Sequence, residues 1–310
     1  MSQYLLTGAK GFVGSALALN LARKGLAFVT LPYSAKNDPG RQYERAANLF
    51  VSRGGSPIGV VIHLAARVHV MQETHADPMA AFRLANVDST LRLASQAAVA
   101  GVQRFVFMSS VKVNGEATPS GVPFSELDIP HPQDPYAVSK MEAEQGLRGI
   151  AAQTGMQVVI IRSPLVYGPG VKANFAALMR AVVRGVPLPL GAVRNLRGLV
   201  GLDNLVDFIT LCAVHPAAAN QTFLISDGCD LSTPDLVRAM AHAAGKPARL
   251  VSVPVALLEC SAALLGRRAA VQRLCSNLQL DTSKAHTLLG WVAPVSVEEG
   301  LRRAFAGARP

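Results

Sequence analysis

Apolar residues in the first half of the chain recur in short runs that alternate with longer segments of helical spacing. The short runs have the length of strands: Tyr4–Thr7, Phe28–Leu31, Val60–Leu64, Arg104–Ser109 and Val158–Arg162. The longer segments carry apolar residues three and four positions apart, which predicts helices: Gly11–Lys24, Phe82–Ala100 and Tyr136–Thr154. Strands separated by helices of this length join through right-handed crossovers, so the pattern predicts an α/β fold with a doubly wound parallel sheet.

After about Ser163 the alternation loosens, because proline and glycine become frequent. Helical spacing resumes in five segments: Asn174–Arg184, Asp203–Val214, Thr233–Ala244, Val255–Leu265 and Val297–Phe305. Short strands are predicted at Thr222–Ile225 and Leu250–Val253, whereas the polar segment Pro32–Gly59 gives no clear prediction. We therefore expect a sheet domain over residues 1–165 and a smaller C-terminal α/β lobe over residues 166–310, with some of its segments returning to the main sheet.

The composition excludes several classes of protein. Half of the 310 residues are hydrophobic, which offsets the entropy of ordering the chain and excludes a disordered protein. The four cysteines show no CxxC spacing, so neither a disulfide framework nor a metal site is expected. The longest apolar run, Leu250–Gly266, contains Pro254 and Glu259 and is shorter than the roughly 20 residues of a membrane span. No signal-peptide pattern occurs at the N terminus, so a soluble cytoplasmic protein is predicted.

The chain carries a net charge of +10, and most of the excess lies in its second half. Residues 1–150 hold 14 basic and 11 acidic residues, whereas residues 151–310 hold 16 and 9. The basic residues are scattered, without the dense stripe and interleaved aromatic residues that nucleic-acid binding favours, so no nucleic-acid partner is expected. A basic lobe is consistent with an anionic ligand such as a diphosphate.

The first motif with chemical content follows the first predicted strand. Gly8, Gly11 and Gly14 form a GxxGxxG pattern ahead of an amphipathic helix. Glycines permit a tight turn and let backbone N–H groups approach a diphosphate, which the positive end of the helix dipole also favours. At this place in a doubly wound sheet, the pattern predicts a dinucleotide site of the Rossmann type.

The residues after the second predicted strand bear on the choice between NAD and NADP. An acidic residue there commonly binds the ribose 2′-OH of NAD, but Leu31-Pro32-Tyr33-Ser34 contains none. Lys36 and Arg41 follow, and either could tolerate a 2′-phosphate. We expect NAD or NADP as the cofactor, with NADP favoured.

A second motif places Tyr136 and Lys140 one turn apart on a predicted helix. A tyrosine with its ordinary pKa of about 10 is a poor base, but a nearby ammonium stabilises the phenolate and makes proton exchange with a hydroxyl feasible. Ser109 and Ser110 end a predicted strand, at the sheet edge where parallel sheets bind ligands. Such a serine is able to bind the substrate oxygen and help to move the proton.

A family resemblance rests on strings that occur in order along nearly the whole chain: TGAKGFVG (7–14), VVIHLAA (60–66), FVFMSSVKVNG (105–115), PYAVSK (135–140), IIRSPLVYGPG (160–170), LVGLDNLVD (199–207) and DTSKAHTLLGW (281–291). The chain resembles the extended short-chain dehydrogenase/reductases, and within them the NAD-dependent epimerase/dehydratase group that acts on nucleotide sugars. The resemblance implies a UDP-sugar substrate and a homodimer, since relatives commonly dimerise through two helices.

The resemblance also implies a role for each matching position. The cofactor would be held by the glycine loop and by residues on neighbouring strands and helices: Gly8, Gly11, Phe12, Val13, Gly14, Leu64, Ala65, Ala66, Asn86, Ser109, Tyr136 and Lys140. The catalytic residues would be Ser110, Tyr136 and Lys140. The substrate would be bound by Ser110, Lys112, Tyr136, Asn174 and Arg197.

Two further strings, AARVHVM (65–71) and SSVKVNGE (109–116), resemble one subgroup more closely. That subgroup includes reductases of the 4-keto group of a UDP-linked 6-deoxy-N-acetylhexosamine in bacterial surface-polysaccharide synthesis. A 4-keto-sugar reductase is therefore the leading prediction, and a UDP-glucose or UDP-N-acetylglucosamine 4-epimerase is the alternative. A non-catalytic dinucleotide sensor or a nucleic-acid binder is a distant third, which the intact Ser110, Tyr136 and Lys140 set disfavours.

Two other sets of ionisable residues near these motifs receive structural interpretations. Glu142 and Glu144 follow the catalytic lysine and are predicted to lie on the solvated face of their helix. His63 ends an apolar strand and is not expected to act as a general base, because Tyr136 fills that role and no aspartate partner is evident.

Overall fold

A computed structural model describes residues 3–32, 48–50, 57–68, 77–264 and 268–307. Its eight strands are β1 (Gln3–Thr7), β2 (Phe28–Leu31), β3 (Ile58–His63), β4 (Arg104–Ser110), β5 (Gln157–Ser163), β6 (Leu165–Tyr167), β7 (Leu199–Gly201) and β8 (Thr222–Leu224). Six of them form one parallel sheet in the order β2-β1-β3-β4-β5-β8, and β6 pairs with β7 in a second, two-stranded parallel sheet. The strand order reverses at β1, which confirms the doubly wound sheet.

Helices connect these strands on both sides of the sheet. They are α1 (Phe12–Arg23), α2 (Pro78–Arg83), α3 (Ser89–Val99), α4 (Pro135–Thr154), α5 (Ala173–Val183), α6 (Leu202–Val214), α7 (Thr233–Ala243), α8 (Val255–Leu264), α9 (Arg268–Cys275), α10 (Ser283–Leu289) and α11 (Val297–Ala306). A π-helical turn, Leu84–Asp88, joins α2 to α3, and a 3₁₀ turn, Val111–Val113, follows β4.

Side chains alternate between the two faces of the sheet, and each face is covered by helices. Leu6 and the other apolar side chains on its face of the sheet pack against α1 and α6, which contribute Leu17 and Phe208 to this core. Leu5 points the other way and belongs to the core formed with α3 and α4. Because strands buried on both faces must be apolar throughout, the continuous apolar runs of the sequence become the central strands. A third core lies in the C-terminal half and joins α5, α7 and α11.

The C-terminal half departs from the predicted elements in two ways. The strand predicted at Leu250–Val253 is wrong, because the segment forms an isolated bridge between Leu188 and Leu250 rather than a strand. After Leu188 the regular pairing is lost, because the next hydrogen bond to this segment comes from the Gly191 N–H to the Val251 carbonyl at 3.0 Å. The second sheet, α9 and α10 were not predicted.

Two expectations from composition concern membrane-spanning helices and metal sites. Within the described residues no helix is long and apolar enough to span a membrane, and no group of three or more metal-ligating side chains occurs. Lys36 and Arg41, on which the preference for NADP rests, lie outside the described residues, as does most of Pro32–Gly59.

Candidate active site

The glycine loop lies between β1 and α1, where the absence of side chains is a geometric necessity. Gly8 has φ +72°, and a Cβ atom there would lie 2.7 Å from the backbone nitrogen of Ala65. A Cβ atom on Gly14 would lie 2.0 Å from the carbonyl oxygen of Gly8. The Gly11 N–H closes the turn onto that same oxygen at 2.9 Å. No side chain caps the start of α1, so its first N–H groups are left without side-chain partners at the kind of helix terminus that favours anions.

A chain of buried hydrogen bonds supports this loop from below. The Thr7 hydroxyl accepts from the Ala65 N–H at 3.2 Å and lies 2.8 Å from Nδ1 of His63. The other ring nitrogen of His63 lies 3.0 Å from the Thr90 hydroxyl. Burial, with a contribution from the charge of Lys140, lowers the pKa of His63 to about 3, so the ring is neutral at physiological pH. His63 thus holds two strands and a helix in place, and Ala65 stays close to Gly8.

Asn86 lies in the π-helical turn and ties the end of β3 to α4. Its Oδ1 accepts from the Arg67 N–H at 2.8 Å, and its Nδ2 donates to the Arg67 carbonyl at 3.0 Å and to the Ser139 hydroxyl at 2.9 Å. Ser139 in turn donates to the carbonyl oxygen of Tyr136 at 2.7 Å. The fully buried amide therefore fixes the backbone next to the tyrosine.

Helix α4 carries Tyr136 and Lys140 on consecutive turns. It begins with Asp134 as N-cap, whose side chain accepts from the Ala137 N–H at 2.7 Å, followed by Pro135 in the first turn. Nζ of Lys140 donates to the carbonyl oxygen of Met108 at 2.9 Å, and it lies 5.9 Å from the centre of the Tyr136 ring. The lysine is thereby held between β4 and the tyrosine.

Burial changes the proton affinity of both side chains. It lowers the pKa of Lys140 to about 7, against an opposing contribution from the carboxylate of Glu144. It raises the pKa of Tyr136, and the charge of Asp134 raises it further. In the protein alone, Tyr136 therefore keeps its proton at neutral pH, whereas Lys140 is close to the midpoint of its titration.

The two serines at the end of β4 point in different directions. The Ser110 hydroxyl is partly exposed and accepts from the Lys112 N–H at 3.2 Å, which caps the 3₁₀ turn that contacts α4. The Ser109 hydroxyl is buried and donates to Glu144 at 2.5 Å. Ser110 thus lies at the carboxyl edge of the sheet beside α4, while the side chain of Ser109 is engaged beneath it.

Glu144 is buried, and its predicted position on a solvated face is wrong. Arg162 of β5 binds it through two hydrogen bonds, from Nε at 2.9 Å and from Nη2 at 2.6 Å. Arg162 also donates to Asn114 at 2.9 Å. The remaining residue of the pair, Glu142, is partly exposed and binds Arg83. Sequence spacing could not distinguish the two glutamates, because the partner of Glu144 comes from a strand that reads as apolar.

Three residues expected to bind substrate, Lys112, Arg197 and Asn174, lie on separate segments. Lys112 is held by Asp134 and Glu116, with distances of 2.6 and 2.9 Å from its Nζ. Arg197 donates to the Ser276 carbonyl at 2.9 Å; burial lowers its pKa, which the charge of Glu116 raises. Asn174 is exposed at the start of α5. Because Glu116 binds Lys112 and its charge also acts on Arg197, these two segments lie in the same region of the molecule.

Comparison with known proteins decides the family. The sequence pattern of the NAD dependent epimerase/dehydratase family matches residues 4–226, well over half of the chain. The chain belongs to this family. Over 305 residues it is 44% identical to UDP-glucose 4-epimerase of Vibrio cholerae, across 96% of this chain and 93% of the relative. Membership makes the protein an NAD(P)-dependent enzyme, as the glycine loop and the Tyr136–Lys140 pair had predicted.

Two solved structures of this epimerase/dehydratase fold are similar over almost the whole chain. UDP-glucose 4-epimerase of Thermotoga maritima, solved with UDP-glucose, superposes with a TM-score of 0.78 at 24% identity and covers 98% of each chain. The protein RMD of Pseudomonas aeruginosa, complexed with NADPH, superposes with a TM-score of 0.77 at 23% identity and covers 99% of each chain. At these identities, the two structures establish the shared fold.

Proposed function

We propose that the protein catalyses NAD(P)-dependent oxidation or reduction at C4 of a UDP-hexose or UDP-N-acetylhexosamine, with Tyr136 as the acid/base. The observation that carries this proposal is the buried Lys140, fixed by the Met108 carbonyl one helical turn from Tyr136. That pair lies at the carboxyl edge of the sheet, where a doubly wound fold binds its ligands. The UDP-sugar is supported by the 44% identical relative, which is a UDP-glucose 4-epimerase.

The residues present fit the expected cofactor. The sites at Gly8 and Gly14 exclude any side chain, and the uncapped start of α1 suits a diphosphate. Phe12 and Val13 follow in the first turn, and Leu64, Ala65 and Ala66 lie on the neighbouring strand end. When bound, the nicotinamide would accept or supply the hydride. Of the solved structures similar to this chain, one is complexed with NADPH and another with NAD. The absence of an acid after β2 favours NADP for this chain.

The proton is moved by the residues of the chain itself. Because burial raises the pKa of Tyr136, its phenol holds the proton that a C4 carbonyl oxygen would take up as it becomes a hydroxyl. Ser110 would hydrogen-bond the same oxygen and hold it near the phenol. A protonated Lys140 would stabilise the phenolate that remains, since an opposite charge nearby favours the charged form.

The strings AARVHVM (65–71) and SSVKVNGE (109–116), which resemble 4-keto-sugar reductases, support a reductase of surface-polysaccharide synthesis as the first candidate. A reductase begins with a protonated acid and consumes one reduced cofactor in each turnover. The second candidate is a UDP-glucose or UDP-N-acetylglucosamine 4-epimerase, which the 44% identical relative supports. An epimerase begins by removing the hydroxyl proton and regenerates its cofactor.

Cofactor stoichiometry distinguishes the two candidates. Purified protein should oxidise added NADPH or NADH with a UDP-4-keto-6-deoxy-N-acetylhexosamine, monitored at the absorbance of the reduced nicotinamide. Interconversion of UDP-glucose or UDP-N-acetylglucosamine without net cofactor consumption would instead establish the epimerase.

Tyr136→Phe tests the catalytic role in either direction. The variant should lose turnover by about 10²–10⁴-fold, the typical contribution of a positioned general acid or base, while its affinity for the cofactor stays the same. Turnover and nucleotide binding measured on the same preparation separate these effects. Full activity of the phenylalanine variant would contradict the proposed chemistry.

The remaining proposals concern the substrate and the assembly. Arg197 and Asn174 would hold the diphosphate of the nucleotide sugar, and the basic excess of the C-terminal half supports an anionic ligand there. A homodimeric enzyme located in the cytoplasm is consistent with the family. No nucleic-acid partner is proposed, because the charge of the chain is scattered rather than gathered in a stripe.

A further inference from the structure

Lys112 makes contacts that the proposed reaction does not explain. It lies in the turn after Ser110, and its backbone N–H donates to the Ser110 hydroxyl at 3.2 Å. Its Nζ lies 2.6 Å from Oδ2 of Asp134 and 2.9 Å from Oε1 of Glu116. An ammonium between two carboxylates is already engaged, so a sugar hydroxyl would have to compete with both. Lys112 thus connects the proposed catalytic serine to the beginning of the catalytic helix.

Asp134 serves the helix and the lysine with different oxygen atoms. Its Oδ1 accepts from the Ala137 N–H at 2.7 Å, which caps α4. Its Oδ2 binds Lys112, and its negative charge raises the pKa of Tyr136 two residues later. The ammonium of Lys112 has the opposite sign and therefore offsets this effect on the tyrosine.

We propose that Lys112 is a positioning residue for the C4 reaction, which neutralises Asp134 beside Tyr136 and fastens the start of α4 to the turn after Ser110. The inference rests on the proposed function, since it concerns the proton that Tyr136 exchanges. It assigns Lys112 to the acid/base machinery rather than to recognition of a sugar hydroxyl.

Other charged groups near Tyr136 come from three directions. Lys140 lies one turn further along the same helix, with Nζ 5.9 Å from the ring centre. From α2, the Phe82 ring packs edge-on against Tyr136 with 6.3 Å between centres, and the Arg67 guanidinium lies 5.5 Å from the Phe82 centre. Glu116 reaches Lys112 from the loop after β4. Among these groups, Lys112 acts on Tyr136 through the carboxylate of Asp134. Its side chain is 23% exposed, so it can be substituted.

Two substitutions should move the titration of Tyr136 in opposite directions. Lys112→Met leaves the charge of Asp134 uncompensated and should raise the midpoint of the pH profile governed by Tyr136 by about half a unit to one unit. Asp134→Asn removes the charge but keeps an oxygen that accepts from Ala137, so the midpoint should fall while the helix cap remains. Lys112→Arg keeps the positive charge and should therefore leave the midpoint at its wild-type value. Lys24→Met, an exposed lysine at the end of α1, is the control for loss of one positive charge.

The measurement is the pH dependence of kcat and of kcat/KM for the complete enzyme with its nucleotide and sugar substrates. Midpoints that stay in place, or that move in the same direction in Lys112→Met and Asp134→Asn, would overturn the inference even if both variants are less active or less stable. An active Tyr136→Phe variant would instead overturn the proposed function. If Tyr136→Phe is inactive and the midpoints do not move, the inference about Lys112 alone fails.

Discussion

At the scale of single residues, the chemistry of the site depends on how burial treats a phenol and an ammonium one turn apart. Burial raises the pKa of Tyr136 and lowers the pKa of Lys140. At neutral pH the tyrosine therefore keeps its proton in the protein alone. The sequence predicted the pair from its spacing. It could not predict the direction of these shifts, because they depend on how deeply both side chains are buried and on the carboxylates of Glu144 and Asp134.

The lowered pKa of Lys140 predicts a specific pH dependence of stability. Unfolding restores the ordinary pKa of 10.5, so above pH 7 the unfolded chain binds more protons at this residue than the folded protein. The free energy of unfolding contributed by Lys140 therefore rises with pH, by at most about 1.4 kcal/mol per pH unit. The clearest window is from about pH 7 to 9, because Cys212, Tyr136 and Tyr167 have raised pKa values and oppose the trend at higher pH.

Lys140→Met removes this contribution and supplies the measurement. In urea unfolding of the protein without nucleotide, wild-type stability should increase more steeply from pH 7 to about 9 than that of the methionine variant. The same comparison for Lys24→Met should show no change in slope, since that lysine is exposed. Parallel curves for wild type and Lys140→Met would contradict the lowered pKa.

At the scale of elements, the sequence predicted those segments whose structural requirement leaves a recognisable pattern of residue types. The strand runs of the first half were confirmed because burial on both faces requires unbroken apolar segments. The glycine loop was found because only glycine fits the contacts at positions 8 and 14. The second sheet was missed because β6 and β7 have only three residues each and lie beside prolines and glycines, which predict turns rather than strands. The partnership of Glu144 and Arg162 was missed because it joins segments 18 residues apart.

Gly14→Ala tests the loop as an element. The added methyl group would lie 2.0 Å from the Gly8 carbonyl, so the turn must open and the N–H groups of α1 must shift. We expect at least a tenfold weaker affinity for NAD(P), measured by fluorescence titration or calorimetry. Gly149→Ala is the matched control, since its Cβ position in α4 meets nothing within 4 Å and alanine is a better helix former. Unchanged cofactor affinity in Gly14→Ala would mean that the loop does not hold the diphosphate.

At the scale of the whole molecule, most of the positive excess lies in the second half of the chain, residues 151–310. The overall architecture was predictable, since the doubly wound sheet was confirmed by the strand order and by a solved structure that superposes over 98% of the chain. The details of the lobe were less predictable, because its proline-rich segments pair through isolated bridges at Leu188 and Arg197 rather than through strands. Electrostatic interactions act over longer distances than these contacts, and the net charge of each half can be counted from the sequence.

The charge distribution predicts a salt dependence of substrate binding. Raising the ionic strength from about 0.02 M to about 0.3 M shortens the Debye length to below 10 Å and should raise the KM for the UDP-sugar several-fold, with little change in kcat. Uridine, which has no phosphate, is the control ligand, and its inhibition constant should not change with salt. A KM that is independent of salt would show that the basic excess does not act on the substrate.

The π-helical turn at Leu84–Asp88 sets the rotational phase of the helix that carries Asn86. Its wider spacing is closed by the Ser89 N–H, which reaches back five residues to the Leu84 carbonyl. Deleting Val87 or Asp88, which follow Asn86 in this turn, would give a regular helix, but each residue turns the helix by about 100°, so Asn86 and everything before it would rotate relative to α3. The amide of Asn86 would then leave Arg67 and Ser139 together. The irregularity thus sets the angle at which the Asn86 amide meets both the Arg67 backbone and the Ser139 hydroxyl of α4.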